Sequence, residues 1–141
     1  MMAYIHAVQY YETDKMSITH HSNYIRWMEE ARIAFLSEIG WDFPKMEEMG
    51  IVSPVLNVTC DYKKSTTFSE KITIHVSVVR FTGVKLQLGY VMENEAGNVV
   101  CRASSVHAFM NEKGRPVRMK QEYPGFYHTL TELADKAAEN R

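Results

Sequence analysis

Apolar residues recur with two different periods along the chain, and the change of period divides it into elements. Residues 4 to 11, rich in Tyr, Ile and Val in rough alternation, predict a short opening strand, after which Glu12 to His21 is a polar break. Apolar positions then fall at 24, 27, 28, 31, 34, 35 and 39, the spacing of a helix, with Ser22 and Asn23 as candidate N-caps and Gly40 as a natural stop. Ile25, Ile33 and Leu36 widen that stripe, so the helix is expected to be central and covered on most sides. Asp42, Pro44 and Gly50 bracket a short second helix.

The period then becomes two. Leu56, Val58, Cys60 and Tyr62 alternate with polar residues, as do Ile72, Ile74, Val76 and Val78, then Val84, Leu86, Leu88, Tyr90 and Met92, and finally the run Val99 to Met110. The links Phe81-Thr82-Gly83, Asn94 to Asn98 and Asn111 to Gly114 carry turn residues, which predicts antiparallel pairing of consecutive strands in a meander. Phe126, Tyr127, Leu130, Leu133, Ala134 and Ala137 return to helical spacing and predict an amphipathic closing helix. A sheet wrapped around the long helix would bury its wide apolar face, giving an α+β chain. Its 141 residues suit one domain spanning 1–141.

Charge narrows the partners. Sixteen Lys and Arg against seventeen Asp and Glu leave no global field for nucleic acid or an anionic membrane, so an anionic ligand must meet a local basic cluster. The opening MMAYIHAVQYYETD has neither a positive n-region nor an apolar h-region, and no apolar run reaches membrane-span length. A cytoplasmic protein is expected, with Cys60 and Cys101 as buried thiols rather than a disulfide. No HExxH, GxGxxG or GxxxxGK pattern occurs, so neither a metal nor a nucleotide cofactor is expected.

The segment Tyr10-Tyr11-Glu12-Thr13-Asp14 … His20-His21-Ser22-Asn23-Tyr24-Ile25-Arg26-Trp27-Met28-Glu29-Glu30-Ala31-Arg32 carries the chemistry. It resembles the opening of the 4-hydroxybenzoyl-CoA thioesterase family of hotdog proteins, where a strand leads through Thr-Asp to Asn-Tyr and an aromatic-rich helix ending Glu-Ala-Arg. The likeness runs more loosely to Gly114-Arg115-Pro116-Val117-Arg118. It implies a hotdog fold, with an antiparallel five-stranded sheet around a long central helix and a C-terminal helix. It also implies hydrolysis of an acyl-CoA, with Asp14 as the catalytic carboxylate and the backbone N–H at His21 as the oxyanion donor. Homo-oligomers, dimers or tetramers, with active sites between subunits are implied as well.

The physics beside the resemblance is coherent. A carboxylate just upstream of a helix N-terminus can sit beside a thioester carbon whose oxygen faces the free first-turn N–H groups. Asp14 would activate water or attack directly, and the sequence leaves both routes open. The plain alternative is an Asp that bonds its own turn. Many family members carry Gly where this chain has Ser17, which puts the positive-φ turn after Asp14 in question.

His20 and His21 are adjacent, so at most one is expected to line the pocket. Asn23 is a candidate for orienting the Asp14 loop, and Tyr24 is a core aromatic or a substrate contact. Glu29 and Glu30 are set aside as catalytic groups because Arg26 and Glu30, one helical turn apart, are expected to pair. Lys63, Lys64 and Arg80, at strand ends, are the candidates for CoA phosphates. A carrier-protein thioester shares the phosphopantetheine arm and remains the nearer alternative substrate. A non-catalytic acyl-binding module is the alternative of a different class.

Overall fold

A computed structural model of the chain describes residues 2–140. Strand β1 (Met2–Ala7) is followed by one turn of 3-10 helix at Tyr10–Glu12, then α1 (Ser22–Glu38) and α2 (Phe43–Glu48). Strands β2 (Val55–Tyr62), β3 (Lys71–Phe81), β4 (Lys85–Glu93) and β5 (Val99–Ala108) complete the sheet, and α3 (Met119–Glu122) and α4 (Pro124–Glu139) close the chain.

All five strands lie in one antiparallel sheet, in the order β1-β3-β4-β5-β2. The expected meander therefore holds only for β3, β4 and β5. Strand β2 crosses to the far edge and pairs with β5, placing Cys60 opposite Ala103 and Tyr62 opposite Cys101. The physical reason lies in the links: the hairpins β3-β4 and β4-β5 turn at Gly83 and Gly97, both at positive φ, whereas eight residues of loop separate β2 from β3.

Period-two patterning puts Ile72, Ile74, Val76, Val78, Leu86, Leu88, Tyr90 and Met92 on one face, all at most 3% exposed. That face meets Tyr24, Trp27, Met28, Ala31, Phe35 and Leu36 of α1. Each large apolar side chain removed from water in this way contributes roughly 1.5–3 kcal/mol. The helix is less enveloped than its composition predicts: Ile25 and Ile33 are 46% and 40% exposed, on the side away from the sheet. Its N-cap is His21, so Ser22 and Asn23 fall inside the first turn, while Gly40 takes up the expected positive φ just past the end.

Asp42 caps α2 by accepting from the Lys45 N–H at 2.9 Å. Helix α4 docks by Phe126, which stacks on Trp41 at 4.5 Å and meets Phe109 edge-on, and it packs along β3. Strand β1 reaches only as far as Val76, so α4 covers the stretch of β3 that β1 leaves open. Among the described residues strand β2 has no such cover on its outer side, where Val55 and Leu56 are exposed. No helix among the described residues is long and apolar enough to cross a membrane. Cys101 is buried as expected, whereas Cys60 is half-buried, and both are free thiols.

Candidate active site

Between the 3-10 turn and α1 the chain folds into a small loop closed by a bridge between Thr13 and Thr19. Its tip is set by Asp14. The Asp14 carbonyl accepts from the Ser17 N–H at 3.0 Å, and the Asp14 Oδ1 accepts from the Met16 N–H at 2.8 Å. The expected local turn is thus present, and it employs one carboxylate oxygen. Oδ2 has no hydrogen-bond partner among the described residues. Ser17 adopts φ 63°, so the turn that glycine would favour forms here with serine, at a steric cost of about 1–2 kcal/mol.

The base of the loop is pinned to the body of the protein. The Thr19 N–H donates to the Thr66 carbonyl at 2.9 Å, and the Thr19 and Thr66 hydroxyls meet at 2.6 Å. The Tyr24 hydroxyl joins them at 3.0 Å from Thr66, in a buried cluster of three hydroxyls. Burial pushes the Tyr24 phenol above its ordinary pKa, so it stays a protonated donor.

Asp14, His21, Tyr24, Lys63 and Lys64 line one surface cavity of about 330 Å³, together with Met16, Ile18, Thr19, Tyr62 and Ser65. Two strands of argument meet there. The loop supplies the carboxylate, and the start of α1 supplies backbone donors. At that start the Ser22 N–H is taken by His20 Nδ1 and the Asn23 N–H by the His20 carbonyl. The His21 N–H donates to no group among the described residues, while its carbonyl accepts from the Tyr62 hydroxyl at 3.2 Å. Only His21 of the two adjacent histidines lines the cavity. The basic rim comes from the end of β2, where Lys63 is paired with Asp61 at 2.7 Å and Lys64 has no ion pair among the described residues.

Asn23 and Arg80 lie elsewhere. Asn23 is buried, and its amide donates to the Glu12 carbonyl at 2.9 Å and the His20 carbonyl at 3.2 Å, bracing the loop from beneath. Arg80 lines a separate depression with Thr82, Lys85, Gln87 and Val106, beyond a bulge in β3. The expected Arg26–Glu30 pair is absent among the described residues: Glu30 accepts from the Tyr4 hydroxyl at 2.8 Å and faces His6 Nδ1 at 3.0 Å. Glu29 pairs instead with the buried Arg32 at 2.7 Å. Of the aromatic residues near the loop, Tyr10 and Tyr11 are largely exposed and Trp27 is fully buried, so the rings facing the cavity are Tyr24 and Tyr62.

Tyr62, Thr66 and Glu12 are site-shaping residues with no marked signature in the sequence. The only available hint was position, since Tyr62 directly precedes Lys63-Lys64 and Glu12 stands two residues before Asp14. Among the described residues no three His, Cys, Asp or Glu side chains stand together at metal-ligating distance.

Comparison with known proteins identifies the family and the fold. The thioesterase-like superfamily pattern matches residues 8–134. A putative acyl-CoA thioesterase of Bacillus subtilis, YneP, is 34% identical over 130 residues, covering 92% of this chain and 94% of its own. A DHNA-CoA thioesterase from Staphylococcus aureus superposes with a TM-score of 0.93 at 28% identity, covering 99% of this chain and 94% of that one. A hypothetical protein from Aquifex aeolicus gives 0.83 at 31% identity, covering 92% and 98%. With one antiparallel sheet laid on α1 and a family match over nearly its whole length, the chain belongs to the thioesterase-like superfamily and is a hotdog-fold thioester hydrolase.

Proposed function

We propose that this chain, acting as one cytoplasmic domain, hydrolyses small aromatic or short- to medium-chain acyl-CoA thioesters to the free acid and CoA. The observation that carries this reading is the pairing, around one cavity, of a carboxylate oxygen and a helix-start N–H that are both unengaged among the described residues. The thioester carbonyl would point its oxygen at the His21 N–H, where the helix dipole and the donor both favour developing negative charge.

Asp14 then acts in one of two ways. As a general base it takes a proton from water while the hydroxyl adds to the carbonyl carbon. As a nucleophile it adds through its own oxygen, giving a mixed anhydride that water opens. Either way the carbon–sulfur bond breaks and CoA leaves as a thiolate, a good leaving group that needs neither metal nor cofactor. Tyr24, Tyr62, Met16 and Ile18 offer an apolar, ring-lined bed for the acyl group. The Staphylococcus relative bears the name of an aryl-CoA ester, which favours an aromatic acyl group here too.

Lys64, with Lys63 beside it, is proposed to meet the CoA phosphates. An exposed charge contact is worth about 0.5–1 kcal/mol, so Lys64→Ala should raise KM for acyl-CoA roughly 2–5-fold and leave kcat alone. KM for the matching acyl-pantetheine ester, which lacks the phosphates, should not change. Equal KM values for both esters in parent and variant would remove Lys64 from the CoA site. The same assay with an acyl-carrier-protein thioester tests the runner-up, which a higher kcat/KM on the carrier would favour.

The uncovered edge of β2 and the exposed Ile25, Ile33, Val55 and Leu56 support a homo-oligomer, a dimer or tetramer, with the cavity bordered by a second copy. Sedimentation at micromolar concentration should give at least a dimer; a monomer there refutes the assembly.

A further inference from the structure

Glu12 is 4% exposed, two residues before Asp14, in a stretch otherwise open to solvent. A buried carboxylate costs free energy unless donors surround it, and this one is surrounded. Oε1 accepts from the Gln9 N–H at 2.8 Å and faces His6 Nε2 at 2.8 Å. Oε2 accepts from the Trp27 indole N–H at 2.7 Å, in the second turn of α1. The residue's backbone is equally occupied: its carbonyl accepts from the His20 N–H at 2.8 Å and from the Asn23 amide at 2.9 Å.

These five contacts have a common geometric effect. Glu12 begins the loop that carries Asp14, and His20 ends it, one residue before the His21 N–H. The Glu12 carbonyl ties those two ends together, and the Glu12 carboxylate ties them to Trp27 and, through His6, to β1. Buried charged groups add little net stability compared with apolar side chains of the same volume, but they penalise every arrangement in which a donor is lost. That is the property needed where a carboxylate and an oxyanion donor from separate segments must be held in register, since a displacement of about 1 Å can cost 10²-fold in rate.

We infer that Glu12 is a positioning residue for hydrolysis, its buried contacts fixing the Asp14 loop against the start of α1. The inference rests on Asp14 being the catalytic carboxylate. Glu12 does not line the cavity, so it acts only through Asp14 and His21. Replacing it by Gln keeps the size and destroys the match. An amide NH2 in place of Oε1 would face the Gln9 N–H, and in place of Oε2 it would face the Trp27 N–H.

The test is a double-mutant cycle on acyl-CoA hydrolysis, using Glu12→Gln, Asp14→Asn and the pair, with kcat and KM measured well below each melting temperature. Glu12→Gln should lower kcat roughly 10–100-fold with KM within about 3-fold. In the Asp14→Asn background the same change should cost much less, because the carboxylate it positions is gone and only its effect on the His21 N–H remains. If Glu12→Gln lowers the melting temperature but leaves kcat within 2-fold, Glu12 is only structural and the inference fails. If its cost is the same in both backgrounds, Glu12 does not act through Asp14 and the inference also fails. Near-parental turnover by Asp14→Asn alone would instead overturn the catalytic reading itself. Should Glu12→Gln not fold, Trp27→Phe, which removes one donor and keeps the ring, takes its place in the cycle with a smaller loss of the same kind.

Discussion

Asp14→Asn is expected to lower turnover by at least ~100-fold while leaving KM near that of the parent, because on the proposed mechanism it removes the charge that would activate water or attack the thioester and little else. Its structural cost should be small. The Oδ1 of Asn accepts the Met16 N–H as the carboxylate does, so the turn Asp14-Met16-Ser17 keeps its bonds. The melting temperature is therefore expected to stay within a few degrees of the parent. The competing account, in which Asp14 serves only its own turn, predicts the opposite: turnover within a few-fold. Measuring kcat, KM and melting temperature on this one variant separates the accounts, and if turnover survives, His21, Glu29 and Glu30 are the next residues to replace.

The second large effect is on stability against pH. His107 is 1% exposed on the inner face of β5, where its Nε2 meets the Ser105 hydroxyl at 2.6 Å and Ser105 meets the Tyr90 hydroxyl at 2.7 Å. Its Nδ1 is buried without a hydrogen-bond partner among the described residues. Burial, reinforced by the nearby Arg32 guanidinium, depresses the imidazole from 6.5 to about 4. The folded protein therefore holds His107 neutral, whereas the unfolded chain takes up a proton below pH 6.5. Stability linked to this group is fully present above pH 6.5 and is lost between there and pH 4, about 3 kcal/mol in all. About 2 kcal/mol of it should be gone by pH 5.

Glu12 acts in the same direction but in a lower window. Burial alone would raise its carboxyl, yet the Gln9, His6 and Trp27 contacts hold it below its ordinary value of 4.5, so its contribution is present above that pH and is lost as pH falls through the folded value. The interval from pH 7 to 5 thus separates His107 from Glu12. Denaturant titrations at those two pH values should show a larger loss in the parent than in His107→Gln. Equal losses in both would show that His107 does not carry the acid sensitivity.

Most elements were legible because their signal is local. Period-two runs from Leu56, Ile72, Val84 and Val99 became β2 to β5, and the stripe beginning at Tyr24 became α1. Strand order was less so: alternation says that β2 has a partner, but its pairing with β5 rather than β3 depends on which edge the other strands leave open. The breadth of apolar positions on α1 predicted cover on most sides, yet Ile25 and Ile33 face outward, because the spacing of apolar residues does not say how much of the helix the sheet reaches.

The site shows the same division. Asp14, His21, Tyr24, Lys63 and Lys64 gather around one cavity although β2 lies far along the chain from the loop, and family resemblance together with strand-end position had singled them out. Glu12 escaped notice because a glutamate in a polar break reads as solvated. Its burial is created by His6 on β1 and Trp27 on α1, contacts that exist only once the chain has folded. Arg80 has the right charge at a strand end, but within this chain it follows a bulge in β3 and lines another depression, with Gln87 of β4 and Val106 of β5.

Thiol release from a panel of aryl-CoA and short- to medium-chain acyl-CoA esters, followed with the purified parent protein, tests the central claim most directly. The account predicts saturable release of CoA from at least one aryl or short- to medium-chain ester, with kcat in the ordinary enzymic range of about 1–10³ s⁻¹. Release no faster than the uncatalysed rate across the whole panel, from protein that is folded and binds the esters, would contradict it and leave an acyl-binding module in its place.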